Sequence, residues 1–483
     1  MYHSDVTNLG TIRGKHARLN YDPEVNGGTL TIQGVDWAES ISNSNVIAVL
    51  LHHPHGADAV DENQRILLVS NVHDQTPGFP GEAFSFESVQ ATQLPQSFIA
   101  ANSISSGLLD LTQPRDKTQS HNLYVIISTL SGTGAAQNYF DTVIKPTFSA
   151  IGIQEFAYYV HTTSSEKSIL ELASAVLLPR ANEGIPQTVV LLSGDGGIVD
   201  IVNTFMSAGR SEQYVKPAIG LIAMGTGNAF ANSVGLNRDA TRGLRHFFRG
   251  QRYSIPTFTA TFSPGSEFLV DEGRKLQPLA SSDDGKRSEI YGSVVCSWAL
   301  HASLVADSDT TELRKYGSQR FQMAAKELLM PSDGSAPHAY KGRVTFIKKS
   351  EHGEKTQEVL DRKEHIYILA TLVSNLEEKF LISPDSRPLD RQMRLLHIKP
   401  IASADVMRIL GLAFQGGKHV EDKVVGYDVV EGIRIDFEEE EAKWRRVCVD
   451  GKIVRVGEGG WVDVRMNERA KDQCDVLDII VDV

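Results

Sequence analysis

Three short glycine turns hold the residues best suited to chemistry: Ser131-Gly132-Thr133-Gly134, Ser193-Gly194-Asp195-Gly196-Gly197 and Gly225-Thr226-Gly227-Asn228. Each follows an apolar run and precedes a helical pattern. Glycines in such turns let backbone N–H groups converge at a helix start, which suits an anion. Taken singly, each turn reads first as plain strand-to-helix geometry. Three together, each with serine, threonine or asparagine side chains, point to one polyphosphate. The chain has no GxxxxGK[ST] string. GTGAAQ and GTGNAF end in Gln and Phe, where a dinucleotide fingerprint ends in Gly or Ala. The strand-like run EFAYYVHTT carries His161 where an acid for the ribose would stand. Hydride transfer is therefore disfavoured. Asp195 is the anomaly, because a carboxylate repels phosphate. Phosphoryl transfer would account for it. The carboxylate could accept the proton of an alcohol, or help to place Mg²⁺, whose charge screens the repulsion. Capping its own helix is the competing reading. The local string supports the two equally.

The elements that must position these turns alternate. NLYVIISTL (Asn122–Leu130), EFAYYVHTT (Glu155–Thr163), QTVVLLS (Gln187–Ser193) and PAIGLIA (Pro217–Ala223) read as buried strands. Helical patterns lie between them, the first interrupted at Pro146, and another follows at AFANSVGL (Ala229–Leu236). Such alternation predicts a mainly parallel α/β sheet over 121–250, with all three turns at its C-terminal edge, where ligands bind. From 251 to 483 strand-like runs dominate, with one helical insert near Thr311–Met330. Residues 1–120 read as a small β-rich accessory region closing on a polar linker, LTQPRDKTQSHN (Leu111–Asn122).

Composition narrows the classes. The 483 residues exceed one ordinary core and imply two or three domains. A formal net charge of −12 disfavours a nucleic-acid partner. Cys296, Cys448 and Cys474 are far apart and form no CxxC pair, which speaks against zinc and for a reducing compartment. The polar start MYHSDVTNLG lacks a signal core, and no run of 18 apolar residues appears. A cytoplasmic protein is expected, with any lipid contact peripheral. His52, His53 and His55 have metal-like density but no completing Cys or acid before Asp58, so metal binding is disfavoured. DFEEEEAKWRR (Asp436–Arg446) reads as a solvated charge run.

With these motifs in hand, the chain resembles the catalytic domain shared by diacylglycerol, sphingosine and ceramide kinases, a fold similar to that of NAD kinases. STLSGTGAA, SGDGG and PAIGLIAMGTGN match that family's three turns in order and spacing. SWALHASLVADSDTTELRKYGSQRF (Ser297–Phe321) resembles the substrate segment of sphingosine kinases, and VCVDGKIV (Val447–Val454) the later DGE turn. The resemblance spans about residues 122–470. It implies Asp195 as general base on a lipid hydroxyl. It implies ATP contacts from Ser131, Gly132, Thr133, Gly134, Thr163, Ser193, Gly194, Gly196, Gly225, Thr226, Gly227 and Asn228. Arg314, Arg320, Asp450 and Gly451 fall on further nucleotide positions, and Asp309, with Asp307 beside it, on the acid that holds the substrate's amine or hydroxyls.

The family pattern is broken at five places. Ser128-Thr129 replace the usual Asn-Pro, Ala135 a basic residue, Gly197 a Thr or apolar residue, Asp200 a Glu and Lys452 the Glu of DGE. The fold expected is an α/β nucleotide-binding domain followed by a β-rich, sandwich-like substrate domain, with a β-rich N-terminal region. The reaction implied is ATP- and Mg²⁺-dependent phosphorylation of a lipid hydroxyl at a membrane surface. A sphingoid base is the first substrate, with diacylglycerol or ceramide second. The reading from another class is a degenerate lipid-binding regulator on the same fold. By residue type alone Trp298 and His301 belong to a core.

Overall fold

The computed structural model describes residues 8–51, 64–73, 83–104, 122–279, 288–349, 352–467 and 476–482. His52, His53 and His55, Cys474 and most of the Leu111–Asn122 linker lie outside them.

The parallel sheet forms as the alternation predicts. Its order is Tyr158–Thr162, Leu123–Ile127, Thr188–Ser193, Ala218–Ala223, Asp478–Val481 and Gln251–Ser254. The central strands LYVII, TVVLLS and AIGLIA are buried at every position, as helices on both faces require. Two boundaries differ from the sequence reading. Asp478–Val481, expected in the β-rich half, runs parallel to Ala218–Ala223, and Gln251–Ser254 pairs antiparallel on its outer side. The chain thus leaves the α/β sheet once and returns to finish it. A short apolar run such as DIIV does not say which sheet it joins.

The interruption expected at Pro146 is absorbed. Helical structure continues from 136 to 150 because a π-turn, Phe140–Ile144, precedes the proline segment Lys145–Ala150. The same device, Ala173–Leu177, precedes the segment Leu178–Asn182 with Pro179. A π-turn shifts the hydrogen-bond ladder at the place where proline removes a donor.

The β-rich half is a sandwich. One sheet runs Ser288–Gly292, Phe258–Phe262, Trp461–Met466, Gly432–Phe437, Tyr340–Lys349 and Lys355–Val359. The other centres on Arg446–Val449, Val295–Ala299, Tyr367–Thr371 and Met393–Ile398. Phe258, Phe262, Trp298, Val344, Ile433, Val447 and Val462 fill the space between. Helices Leu300–Ser308, Gln319–Leu329 and Ser403–Ala413 cover the second sheet's other face. Their Leu300, Leu304, Ala325, Leu329, Val406 and Ile409 join one continuous core with Ile198 and Val202 of the nucleotide domain. The first and last of these helices were missed in the sequence. Among the described residues, no helix is long and apolar enough to cross a membrane.

The described residues between 8 and 104 form a seven-stranded antiparallel sheet, with its own core around Leu19, Leu30, Ile32, Val69 and Phe98. Its Ile47, Ala48, Leu68 and Phe84 belong to a second core, shared with Val125, Ile127, Tyr139 and Phe247 of the nucleotide domain.

Candidate active site

Strands Leu123–Ile127, Thr188–Ser193 and Ala218–Ala223 are neighbours, so their three turns meet at one sheet edge. Backbone bonds tie them: Ser128 N–H to Leu192 O at 2.9 Å, and Met224 N–H to Ser193 O at 3.0 Å. Glycine is required by contact. A Cβ on Gly225 would stand 2.6 Å from Gly194 Cα, and one on Gly132 2.2 Å from Met224 O. The backbones themselves touch, which no side chain permits. Gly132, Thr133, Gly134, Gly196 and Thr226 are exposed along the mouth, whereas Ser193 and Asn228 are buried beneath it.

Hydroxyls line the floor. Ser131 Oγ donates to Ser128 Oγ at 2.7 Å and lies 3.3 Å from Ser193 Oγ. Ser128, one of the departures, is thus part of a linked serine set. Thr163 is turned to the first turn rather than left free: its Oγ1 accepts from Thr129 N–H at 3.1 Å, and its carbonyl accepts from Thr129 Oγ1 at 3.0 Å. Gly197 is also explained. A Cβ there would stand 2.6 Å from Ser193 Oγ and 3.2 Å from Ile169 Cδ1. Its smallness seats Ser193; it does not loosen the helix, which runs unbroken from Asp195 to Ser207.

Asp195 does not cap its own helix. It opens its helix, but its side chain makes no cap bond there. Its oxygens accept from Ala229 N–H at 2.6 Å and Phe230 N–H at 3.1 Å, at the start of the helix after the third turn. That helix follows Asn228, which is left-handed at φ 51° and whose side chain closes back on Gly225. The aspartate of one turn therefore caps the helix of the next. Each oxygen keeps a further lone pair. Burial raises the Asp195 carboxyl to about 6, against the lowering effect of the two N–H donors. A carboxylate poised near neutrality in a cleft suits proton transfer.

Asp450, in the β-rich half, is near enough to Asp195 for their charges to interact. Asp450 and Gly451 both have positive φ, 48° and 87°, and form the tight turn between Arg446–Val449 and Lys452–Arg455. The Asp450 carboxylate accepts from Ser293 N–H at 2.6 Å, Val294 N–H at 3.1 Å and Val295 N–H at 2.6 Å. Burial lifts it to about 7, and the charge of Asp195 adds to the rise. These three bonds make the carboxylate a strut that fixes the turn. Two further departures face each other: Lys452 Nζ donates to Asp200 Oδ1 at 2.8 Å, half-buried between the lobes.

The arm after residue 308 forms one charge cluster. Arg314 grips Asp309 through Nε and Nη2 at 2.9 and 3.0 Å, and Arg320 Nη1 lies 3.5 Å from Asp309. Sequence reasoning sent Asp309 to the substrate and the arginines to the nucleotide; here they neutralise one another. Asp307 belongs to a separate pair, accepting from buried Arg446 Nη1 at 2.6 Å. Trp298 and His301 are buried in the core as their residue types suggested, with His301 Nδ1 2.7 Å from Ser297 Oγ and its pKa lowered to about 4 by burial.

One contributor was missed. The hairpin Asn375–Leu381 packs on the helix after the third turn: Asn375 N–H donates to Ser233 Oγ at 2.9 Å, and Leu376 O lies 3.4 Å from where a Gly227 Cβ would be. Glu377 faces Arg320 and is raised chiefly by burial. SNLEEKF carries no motif, so only tertiary structure reveals it.

This arrangement sets three touching glycine turns, with a carboxylate at their junction, at the edge of a parallel sheet. Residues 122–260 match the family model of the diacylglycerol kinase catalytic domain. More widely, the chain is similar to sphingosine kinase 1 of Arabidopsis thaliana, at 22% identity over 399 residues, covering 74% of this chain and 73% of that protein. It is also similar to human sphingosine kinase 1, at 21% identity over 325 residues, covering 62% of this chain and 77% of that protein. Among solved structures, a Bacillus anthracis diacylglycerol kinase aligns at 10% identity with a TM-score of 0.43, covering 76% of this chain and 98% of that one. Yeast NADH kinase complexed with NADH aligns at 11% identity with a TM-score of 0.35, covering 77% and 88%.

Proposed function

We propose that this protein transfers the γ-phosphoryl group of ATP to a lipid hydroxyl, with a sphingoid base as first substrate. The observation that carries the reading is Asp195, held at the contact of the second and third turns with its carboxyl raised to about 6. The three turns cradle the phosphates, with Ser131, Thr133 and Thr226 supplying hydroxyls. Asp195 takes the proton of the lipid hydroxyl, the oxygen attacks the γ-phosphorus, and ADP leaves with the bridging oxygen. Ala229 and Phe230 N–H groups hold the carboxylate in place for this. On ligand entry Arg314 and Arg320 turn from Asp309 toward phosphate, and Asp309 receives the amine or hydroxyls of the base.

Mg²⁺, when bound with the nucleotide, would supply charge neutralisation for the phosphoryl transfer. Among the described residues no group of three His, Cys, Asp or Glu is placed to hold a metal ion. Asp195, Asp450 and Asp200 are each engaged by protein donors. The residues therefore fit a metal that arrives on the nucleotide better than a protein-built cage. The likeness to sphingosine kinases and the Asp309 arm favour a sphingoid base over diacylglycerol or ceramide. The work is done at a membrane surface reached from the cytoplasm.

Radiolabelled ATP offered with sphingosine, phytosphingosine, diacylglycerol and ceramide tests this. Label in a sphingoid base is expected. Label in diacylglycerol or ceramide alone moves the reading to the runner-up. Nucleotide binding without label in any lipid supports the degenerate regulator instead.

A further inference from the structure

The N-terminal sheet touches the nucleotide domain at one loop in particular, 237–245, and that loop leads to the third turn. Arg242 O accepts from Ala223 N–H at 2.9 Å, two residues before Gly225. Gly243 is left-handed, and a Cβ there would stand 2.5 Å from Leu221 O. The loop is thus fitted against the backbone of the strand that delivers Gly225, Thr226 and Gly227. Inside it, Thr241 and Asp239 bond to each other, and Thr241 Oγ1 accepts from Arg245 N–H at 3.2 Å.

The other side of the same loop is held by the N-terminal module. Ala240 N–H donates to Ser44 O at 2.9 Å. Arg245 Nη1 donates to Asn43 O at 3.0 Å, and Tyr139 OH donates to Thr241 O at 2.6 Å while its ring meets Phe84 edge-on at 4.8 Å. Asn43 is buried and a hub: its Nδ2 donates to Tyr21 OH at 2.6 Å, and its Oδ1 accepts from Asn102 Nδ2 at 3.1 Å. Gly28 makes room for it, since a Cβ there would stand 2.3 Å from Asn43 Nδ2. Asn102, fully buried, meets Arg249 Nη1 at 3.4 Å. Buried polar groups joined this way have one satisfactory arrangement, because each broken bond leaves a desolvated partner. A module merely tethered by a linker needs none of them.

We infer that the N-terminal module is a built-in part of the nucleotide site: Asn43, Ser44 and Asn102 latch the 237–249 segment and so set the third turn. Arg245 and Arg249 are positioning residues in this scheme, acting through the loop. The inference rests on the third turn binding nucleotide, as proposed above.

The full-length chain provides the test, with a fluorescent ATP analogue as probe and melting temperature recorded alongside. Arg245→Gln cuts the link from the nucleotide side and Asn102→Leu cuts it from the module side. Ile32→Val trims the module's own core, away from the shared one, and serves as a control for lost stability. Both latch variants should weaken nucleotide binding about tenfold, as loss of a charge-assisted or buried hydrogen bond does. Arg245→Lys should recover part of it, and Ile32→Val should bind as the unmodified chain does. Unchanged binding in the latch variants overturns the inference. So does an equal weakening in Ile32→Val, which makes the effect one of general stability. If the unmodified chain binds no nucleotide, the phosphate-site reading fails, and the latch's role fails with it.

Discussion

The two walls of the cleft are held in different ways. The α/β wall is fixed by backbone against backbone: Gly194 and Gly225 touch, Gly132 meets Met224 O, and Asp195 is locked by two N–H donors. On the opposite side, the Asp309 arm and the link to the first wall are held by charges. Asp309 pairs with Arg314 and Arg320, and Lys452 with Asp200. Backbone contact cannot yield without breaking the sheet edge. Exposed ion pairs such as Asp309–Arg314 contribute only about 0–1 kcal/mol and exchange readily for a ligand's charges. Under the proposed function, the first wall would be a preformed mould for phosphate and the second an arm ready to trade partners.

That contrast can be broken at the mould first. Gly225→Val forces a Cβ into Gly194 Cα and Asn228 Oδ1. Nucleotide binding should fall by about 100-fold or more, the scale of a severe core or backbone clash, read by titration with an ATP analogue. A smaller effect is expected at the bridge between the walls. Asp200→Lys or Lys452→Asp alone leaves a half-buried charge without its partner and should lower kcat/KM about tenfold. The exchanged pair should recover most of that loss, which a steady-state double-mutant cycle reads directly. If the double variant is no better than the singles, the two departures from the family pattern are unrelated.

The arm sharpens the comparison from the other side. Asp309→Asn should change melting temperature little, because Asp309 and its closest partner, Arg314, are exposed. The KM for a sphingoid base should rise about tenfold, the value of a charge-assisted hydrogen bond, while affinity for nucleotide is kept. The smallest change is expected on the floor. Ser131→Ala removes one hydroxyl from the Ser128–Ser193 set and should weaken nucleotide binding only about fivefold.

The same contrast governs what was legible in the sequence. Glycine spacing encodes backbone contact, so the three turns and their sheet were readable from local strings. Asp195 was located but its partners were not, because a cap on another turn's helix depends on the left-handed Asn228. The Asp200–Lys452 pair joins residues 252 positions apart, and each looked like a separate flaw. Asp450 matched a family position while its three backbone donors, Ser293 to Val295, gave no signal of their own. The final strand was misplaced for a related reason: four apolar-patterned residues fit either sheet. Gly197 was read as a defect because a glycine's packing partner, here Ser193, is invisible without the fold.

The central claim is that Asp195 is the base. Its protonation should govern turnover, and the sign is fixed by the direction of the shift. Burial raises the carboxyl to about 6, so below that pH it carries a proton and cannot accept another. The decisive measurement is the pH profile of lipid phosphorylation for the unmodified protein and for Asp195→Asn, with nucleotide affinity measured on both. The account predicts an acidic limb near pH 6 in the unmodified protein. In the variant it predicts a loss of turnover of about 100-fold or more, the usual contribution of a general base, with nucleotide still bound. Near-normal turnover by Asp195→Asn, with the same acidic limb, would contradict it.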